Sequence, residues 1–367
     1  MEREKIFCPN YECEATGQQN QGNIGVHHEK SKRFICHKCG KTFSTTKGTI
    51  FYRLRTDAVT VMLVITLIAY GCPIPAIVKA FGFDERTVKR WWEKAGKHCE
   101  AVHEHVVQEA ELDVGHAQAD EIKVKMQGKS VWMAMGMTVK SRLWLGGVIS
   151  ERRDKNLITQ IAEKIRNVCL CRPLLLEVDG LASYVTAFRK VFRSPVPRHG
   201  EPGRRKLRPW DNINITQVVK QSKSSREDDS SYVEQRIVQG SPEQIDKLRQ
   251  KSGGGKTINT AYIERLNATF RQRLANLGRR TRYPARQVQT LISGMFIVGC
   301  LYNFCDSHKS LRQKLWLTEN SYRWVPRTPA LAAGLTDHIW TPHELFHFKV
   351  PPPPWIPPDQ TETKNQT

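Results

Sequence analysis

The chain lacks any apolar run long enough to cross a bilayer. Its longest, Ala58–Tyr70, falls short of the roughly 20 residues that a membrane helix needs. The amino terminus reads MEREKIF, which is charged and has none of the apolar core of a secretory signal. These two absences argue against membrane and secreted classes and for a soluble, cytoplasmic protein with no membrane partner. Acidic residues are also scarce. There are 36 Asp and Glu against 57 Lys and Arg, a formal net charge of +21, and the isoelectric point is about 9.7. That imbalance points to a polyanionic partner, most simply nucleic acid. The 367 residues are enough for two or three domains and a sizeable core.

Cysteine is plentiful, with ten residues. In a cytoplasmic chain this suggests metal ligation before disulfides. Cys8 and Cys13 are separated by four residues, Cys36 and Cys39 by two, and the two pairs by twenty-two. Two such pairs can each sit on a tight turn and close a tetrahedral thiolate cage on a structural Zn²⁺. Arg33–Cys36, His37–Gly40 and Lys41–Ser44 fit the strand, turn and strand of a zinc ribbon. His27, His28 and His37 read as solvated loop residues. Cys72, Cys99, Cys169, Cys171, Cys300 and Cys305 lie in mostly apolar surroundings and read as small buried side chains.

Between residues 57 and 110 the pattern turns helical. Ala58–Ala69 reads as a buried helix stopped at Gly71-Cys72-Pro73. Ile74–Phe81 is a short amphipathic helix with Ile77, Val78 and Phe81 inward. Gly82-Phe83-Asp84 is a turn, with Asp84 as N-cap of a helix over Arg86–Ala95. This is a helix-turn-helix pattern. Arg86, Thr87, Lys89 and Arg90 occupy the part of the second helix that meets bases and phosphates in such motifs. Val88 and Trp91 or Trp92 would anchor it.

The next two hundred residues read as α/β. Ala117–Lys125, Val131–Val139 and Leu143–Ile149 are strands, Lys155–Val168 a helix, and Leu174–Val178 a strand buried on both faces. Ala182–Phe192 is helical and Asn212–Val219 a further strand. A last helix begins near Tyr262, where Ile263, Leu266, Phe270, Leu274 and Leu277 recur at helical spacing. Three strands, helix, strand, helix, strand, helix is the order of an RNase H-like domain, a mixed sheet flanked by helices. In that order Asp120 on the first strand and Asp179 at the end of the fourth are neighbours, and Glu264 reaches over from the closing helix. Glu121 competes locally with Asp120, although strand alternation sends the two to opposite faces. Asp113 is a weaker rival. Asn267 and Arg271 share the face beside Glu264. Carboxylates converging this way need cations, and their hard oxygens suit Mg²⁺ or Mn²⁺. Two such ions are the usual device for phosphoryl transfer.

The segments ADEIKVK, LEVDGLASY and YIERLNATFRQRLANLGRRTR resemble the DDE transposases of bacterial insertion sequences, most closely the group named for insertion sequence 1. Several of that group carry an amino-terminal zinc ribbon and helix-turn-helix, as Cys8–Ala95 suggests here, and TPALAAGLTDHIWTPHEL is similar to their tails. The resemblance implies an enzyme that binds double-stranded DNA at the ends of its own mobile element, nicks it, and joins the 3′-OH ends to target DNA. It implies Asp120, Asp179 and Glu264 as the metal-binding triad, with Asn267 and Arg271 in support. It further implies a homo-oligomer, a dimer by expectation, in the nucleoid-associated cytoplasm of a bacterium. The alternatives are a DNA-binding regulator with an inactive catalytic domain, and a nuclease that does not join strands. One departure is the 84 residues between Asp179 and Glu264, more than a simple core needs, with Gln221–Ser231 as an excursion. The expected domains are 1–50, 51–110, 111–310 with an insertion or long loop near 193–257, and an extension over 311–367.

Two basic runs face a phosphate substrate in this reading: Arg204, Arg205, Lys206 and Arg208, then Arg279, Arg280, Arg282 and Arg286. Trp210 beside the first run reads as packing before base stacking. Two short patterns are decoys. His343-Glu344-Leu345-Phe346-His347 matches a zinc-protease helix, but only Phe348 and Lys349 follow before Val350-Pro351, and no third ligand lies downstream. Gly253–Thr257 hints at a phosphate loop, but Gln250 stands where glycine is required. Pro351–Gln366 reads as an extended, disordered tail.

Overall fold

The computed structural model describes residues 6–197, 204–222, 231–319 and 321–357. The chain divides into two compact units, one of residues 1–63 and 346–367, the other of residues 64–345. In the first unit β1 (Ile24–His28), β2 (Arg33–Cys36) and β3 (Thr42–Ser44) form a three-stranded antiparallel sheet. Its small core of Ile6, Ala15, Phe34 and Phe43 surrounds Cys8, Cys13 and Cys36. The carboxy-terminal stretch returns here. Ile50 N donates to Phe346 O at 3.5 Å, and the rings of Phe51 and His347 lie 4.4 Å apart. Residues 351–357 have no helix or strand, as expected, but Pro351 and Pro352 are partly buried. The rest of the expected disordered tail lies outside the described residues.

α1 (Ala58–Ala69), α2 (Ile74–Phe81) and α3 (Glu85–His103) follow, and the division between units falls inside α1. Gly82 ends α2 in the left-handed region, φ 68°. The Asp84 carboxylate then accepts from Arg86 N at 2.9 Å and Thr87 N at 3.3 Å, the expected N-cap. The helix it starts runs to His103, two turns past the expected end at Ala95, because Ala95, Cys99 and Val102 continue its buried stripe. Phe81 is exposed rather than inward; it stacks on Phe83, which packs edge-on against Trp91.

The second unit is mixed α/β. Its strands are β4 (His116–Lys125), β5 (Ser130–Thr138), β6 (Trp144–Ser150) and β7 (Leu174–Asp179), with α4 (Lys155–Val168) before β7 and α5 (Ala182–Val191) after it. A short hairpin of β8 (Arg193–Pro195) and β9 (Leu207–Pro209) leads to β10 (Ile213–Ser222) and β11 (Ser231–Gln239). α6 (Pro242–Ser252), α7 (Ala261–Arg273) and α8 (Val288–Cys300) come next. After them come the hairpin β12 (Gln313–Thr318) and β13 (Ser321–Val325), and the short helices α9 (Pro329–Ala333) and α10 (Pro342–His347).

Six strands form one mixed sheet in the order β11-β10-β7-β4-β5-β6. β4 is antiparallel to β5 and parallel to β7; β7 is parallel to β10; β11 runs antiparallel along the edge. Within the expected insertion near 193–257 the described residues therefore hold regular structure. They supply the β8–β9 hairpin, the sixth strand and α6. Of the expected excursion at Gln221–Ser231, residues 223–230 lie outside the described residues.

Successive residues of a strand face opposite sides, and β4 uses this to hold two layers. His116, Gln118 and Asp120 point to α6 and α7, where they bond Ser252, the α7 amino terminus and Asn267. Glu121 points the other way, to Tyr184 of α5. α8 packs against α3 so closely that a Cβ on Gly96 would stand 2.5 Å from Ser293 Cα. Contrary to the expectation from run length, one helical segment among the described residues, Val288–Leu311, is long and apolar enough to cross a membrane, but 72% of its most apolar window is buried inside the protein.

α7 is anchored through one residue of β4. Gln118 Oε1 accepts from Tyr262 N at 3.1 Å and Ile263 N at 3.0 Å, two of the donors a helix start leaves without partners. Its Nε2 donates to Glu177 Oε2 at 2.9 Å and to Asn259 O at 2.6 Å. Gln118 is 1% exposed, so no water replaces these bonds. Gln118→Ala is expected to lower unfolding free energy by at least about 2 kcal/mol, the cost of stranding buried polar groups. A urea titration of the purified protein checks this; an unchanged midpoint would show that α7 is held elsewhere.

Candidate functional site

A cavity of about 500 Å³ opens where β4, β7, β10 and α7 meet, and Asp120, Asp179 and Glu264 line it with Arg153, Lys220 and Thr260. Asp120 stands in the middle of β4. Asp179 ends β7, opposite Val218 of β10. The backbone turns there because Asp179 Oδ1 accepts from Leu181 N at 3.0 Å. Glu264 lies in the first turn of α7, where Thr260 Oγ1 donates to it at 3.1 Å and Lys220 Nζ approaches to 3.8 Å.

The tightest carboxylate group differs in one member from the three acids singled out in the sequence. Oxygens of Asp120, Glu121 and Asp179 all lie within 4.8 Å of one another, while Glu264 faces them across the cavity. Alternation does send Asp120 and Glu121 to opposite faces, yet their carboxylates still converge beside Asp179. Glu121 is not a cavity-lining group. Its Oε2 accepts from Tyr184 Oη at 2.6 Å, and its Oε1 is paired with Arg153. The Arg153 guanidinium also reaches Asp179 Oδ2 at 3.1 Å and lies over the Trp132 ring. Arg153 and Tyr184 carry no mark in the sequence. Arg153 sits beside Arg152 in a charged loop, and Tyr184 reads as an ordinary helix-face aromatic.

Asn267 is 2% exposed and donates to Asp120 Oδ2 at 2.8 Å. Arg271, one turn on, is half-buried and feels both Asp120 and Arg279. The helix itself is shorter than expected. α7 ends at Arg273, and Leu274 and Leu277 stay buried from a 3₁₀ turn beyond it. Arg279, Arg280, Arg282 and Arg286 thus lie exposed in the loop before α8. Asp113 is apart from the cavity, beside Arg172 and Lys251.

The second metal-ligand group is in the first unit. The Sγ atoms of Cys8, Cys13, Cys36 and Cys39 lie within 4.8 Å of one another, with Cys8–Cys39 at 3.7 Å and Cys13–Cys36 at 3.9 Å. Burial works against the Cys36 thiolate. Backbone N–H groups of Cys39 and Lys38, the Cys8 thiol and the Asn23 amide outweigh it and bring Cys36 down to about 7. No histidine among the described residues joins this group. Among the described residues these are the two clusters able to hold a metal. Of the other cysteines, Cys99, Cys169 and Cys300 are buried and Cys72 and Cys305 partly so, but Cys171 is exposed, contrary to expectation.

The expected nucleic-acid contacts divide by exposure. Arg86 and Arg90 are exposed on α3, Thr87 and Lys89 partly covered, and Lys89 pairs with Glu85 at 2.5 Å. Val88, Trp91 and Trp92 are all buried beneath them. Arg204, Arg205 and Lys206 are exposed at the β8–β9 hairpin, and Arg208 pairs with Asp211. Trp210 is a packing residue: it is 6% exposed, edge-on to Phe192, and donates to Ser194 Oγ at 2.8 Å. Neither decoy is a site. Glu344 is occupied by His338 and Thr341. Gly253 is the left-handed C-cap of α6, and Gly254 passes so close that a Cβ there would stand 2.8 Å from the His116 ring.

The Asp120 carboxyl is pushed from 3.8 up to about 7, by burial first and then by Glu121 and Asp179. With its value raised in the fold, the unfolded chain ionises first as pH rises. The stability this group contributes is complete below about pH 4 and is lost progressively up to about pH 7. Metal-free Asp120→Asn is therefore expected to melt higher than the parent above pH 7, with the difference vanishing near pH 4. Thermal scans across that range in chelator test it; a difference that does not change with pH would show that the Asp120 carboxyl titrates alike in the folded and unfolded chain.

No protein-family model matches the chain, and no curated protein sequence matches it.

Proposed function

We propose that the chain is a DNA transposase of the DDE type, with an RNase H-like catalytic domain, a zinc ribbon and a helix-turn-helix. The observation that carries this reading is the cavity shared by Asp120, Asp179 and Glu264. Their three supporting elements are 59 and 85 residues apart along the chain, counted from Asp120 to Asp179 to Glu264. The strand order supports it too. The first five strands of the sheet stand third, second, first, fourth, fifth, with only the first three antiparallel, which is the arrangement expected of an RNase H-like sheet.

The residues present fit divalent cations at this cavity. All three donors are hard carboxylate oxygens, and burial, with Glu121 and Asp179 beside it, raises Asp120. Asp120, Asp179 and Glu264 would hold two Mg²⁺ or Mn²⁺ ions, which would supply the positive charge that phosphoryl transfer requires. Within this reading, Asn267 holds the Asp120 carboxylate in place through its 2.8 Å bond. Arg271, which feels Asp120 and Arg279, and Arg279, Arg280 and Arg282 are phosphate contacts in this reading. Arg86, Thr87, Lys89 and Arg90 meet the element end, with Arg204 and Arg205 as further phosphate contacts. The reaction nicks the element end and passes the freed 3′-OH to target DNA.

The four thiols fit zinc. Thiolates around a tetrahedral Zn²⁺ at about 2.3 Å stand about 3.8 Å apart, against 3.7 Å and 3.9 Å for the two close pairs. The surrounding apolar core is small, so metal would contribute much of the ribbon's stability. The full chain is expected to be isolated with a single tightly held zinc, and Cys13→Ser without it. Elemental analysis of both checks this; equal zinc in the two would remove Cys13 from the ligand set.

A regulator without catalysis is the second reading. It is favoured by Arg153 and Lys220, which already supply protein cations to the acidic group. One assay separates the two. Asp179→Asn and Glu264→Gln are expected to lose Mg²⁺-dependent nicking by at least about a hundredfold, a typical cost of removing a group that stabilises the transition state. Both should still bind duplex DNA. Undiminished cleavage by either variant would remove that residue from the triad, and a parent protein that binds but never cuts would favour the regulator.

A further inference from the structure

The hairpin β12–β13 is a bare ribbon. Its strands pair only with each other among the described residues. Every residue of β12 is exposed, and so are the first four of β13. Two strands alone are marginal in water, and these carry large apolar groups into it. Trp316 is 58% exposed, Tyr322 43% and Trp324 42%.

Register decides what the ribbon presents. Lys314 pairs with Trp324 and Trp316 with Tyr322. Residues directly opposite share a face, so Lys314, Trp316, Tyr322 and Trp324 lie on one side. The rings step along that side, Trp316 to Tyr322 at 5.1 Å and Tyr322 to Trp324 at 5.7 Å, each pair edge-on. The Lys314 ammonium lies 4.2 Å from the Tyr322 centroid, and the Arg312 guanidinium 4.0 Å from that of Trp324. Between Lys309 and Arg327 there are five basic residues and one acid, Glu319.

We infer that this face is a stacking platform for unpaired DNA bases. Rings and arginines also occur at protein interfaces, which makes a second copy one of the outcomes tested below. Here the rings are interleaved with cations, which suits a partner that alternates flat aromatic groups with negative charge. A single DNA strand has that chemistry: bases stack on exposed aromatic side chains while basic groups follow the backbone. A closed duplex keeps its base faces stacked inside and offers the rings only groove edges. The inference goes beyond the proposed cleavage chemistry and uses none of its carboxylates. It rests on the DNA-handling reading only for the identity of the polyanion.

The test uses the full chain, a fluorescein-labelled oligothymidylate and a labelled duplex, with affinity read by anisotropy. Trp316→Ala with Trp324→Ala is expected to weaken oligothymidylate binding by at least about tenfold and to leave duplex binding unchanged. Trp316→Tyr should restore most of the loss at its position, and Trp316→Leu, apolar but without a π-face, should not. The Leu variant also serves if the double variant does not fold. Equal loss for both DNAs, no loss for oligothymidylate, or rescue by leucine would overturn the platform. So would a dimer of the parent that dissociates in the double variant, since the rings would then be covered by a second copy. The triad is read by Mg²⁺-dependent nicking and the platform by oligothymidylate affinity, so failure of one and failure of the other give different results.

Discussion

Two buried amides hold the second unit's centre in register. Gln118 and Asn267 cross between β4 and α7 in opposite directions, the first bonding the helix start and the second bonding the strand. Asp120 is two residues beyond Gln118, on the same face, and Glu264 is three residues before Asn267. The spacing of the two acids across the cavity is thus a consequence of two side-chain hydrogen bonds. A third layer continues the network, because Gln118 also bonds Glu177, which is paired in turn with His116 at 2.9 Å. Glu177 is two residues before Asp179 on β7, so that second strand is keyed to the same point. In a dry interior such a network rigidifies only if its members are satisfied.

The electrostatics follow from that geometry. Once backbone register brings Asp120, Glu121 and Asp179 within 4.8 Å, mutual repulsion has to be met by protons or cations. The fold meets it in several ways. Asp120 takes up a proton more readily, Glu121 is neutralised by Arg153 and bonded by Tyr184, and Lys220 stands near Glu264. Arg153 is central because it touches two acids at once, and Trp132 beneath it limits its movement.

Much of this architecture was legible in the chain. Lys155–Val168 and Ala58–Ala69 have the expected bounds, although Val59, Leu63 and Leu67 leave the second exposed on one side rather than buried; Asp154 caps α4 and Asp84 caps α3 through ordinary local bonds. Three strands and the buried fourth followed from alternation and from the run LLLEV. The misses have physical causes. α6 is polar on its outer face, and β11 is an edge strand whose Tyr232, Val233 and Ile237 are exposed, so neither carries a clear buried stripe. α7 stops at Arg273 although Leu274 and Leu277 continue its spacing, because periodicity does not distinguish a buried 3₁₀ turn from another turn of helix. At the cavity, the acids were readable from their place on strands and helix. Gln118, Arg153 and Tyr184 were not, since their roles arise from contacts between segments far apart in sequence.

The first unit is built from both extremities of the described chain. Cys8 and Pro352 belong to it together, with Gly17 approached closely by the Pro352 carbonyl. During synthesis the four thiols can gather once the first fifty residues have emerged, since domains generally fold from the amino terminus onward. The segment that seals the flank of the small three-stranded sheet is made only after the whole α/β unit has been threaded out. The first unit therefore passes through a stage in which its four thiols are gathered and its flank is bare, and it is in that interval that thiol oxidation or loss to proteases threatens it most.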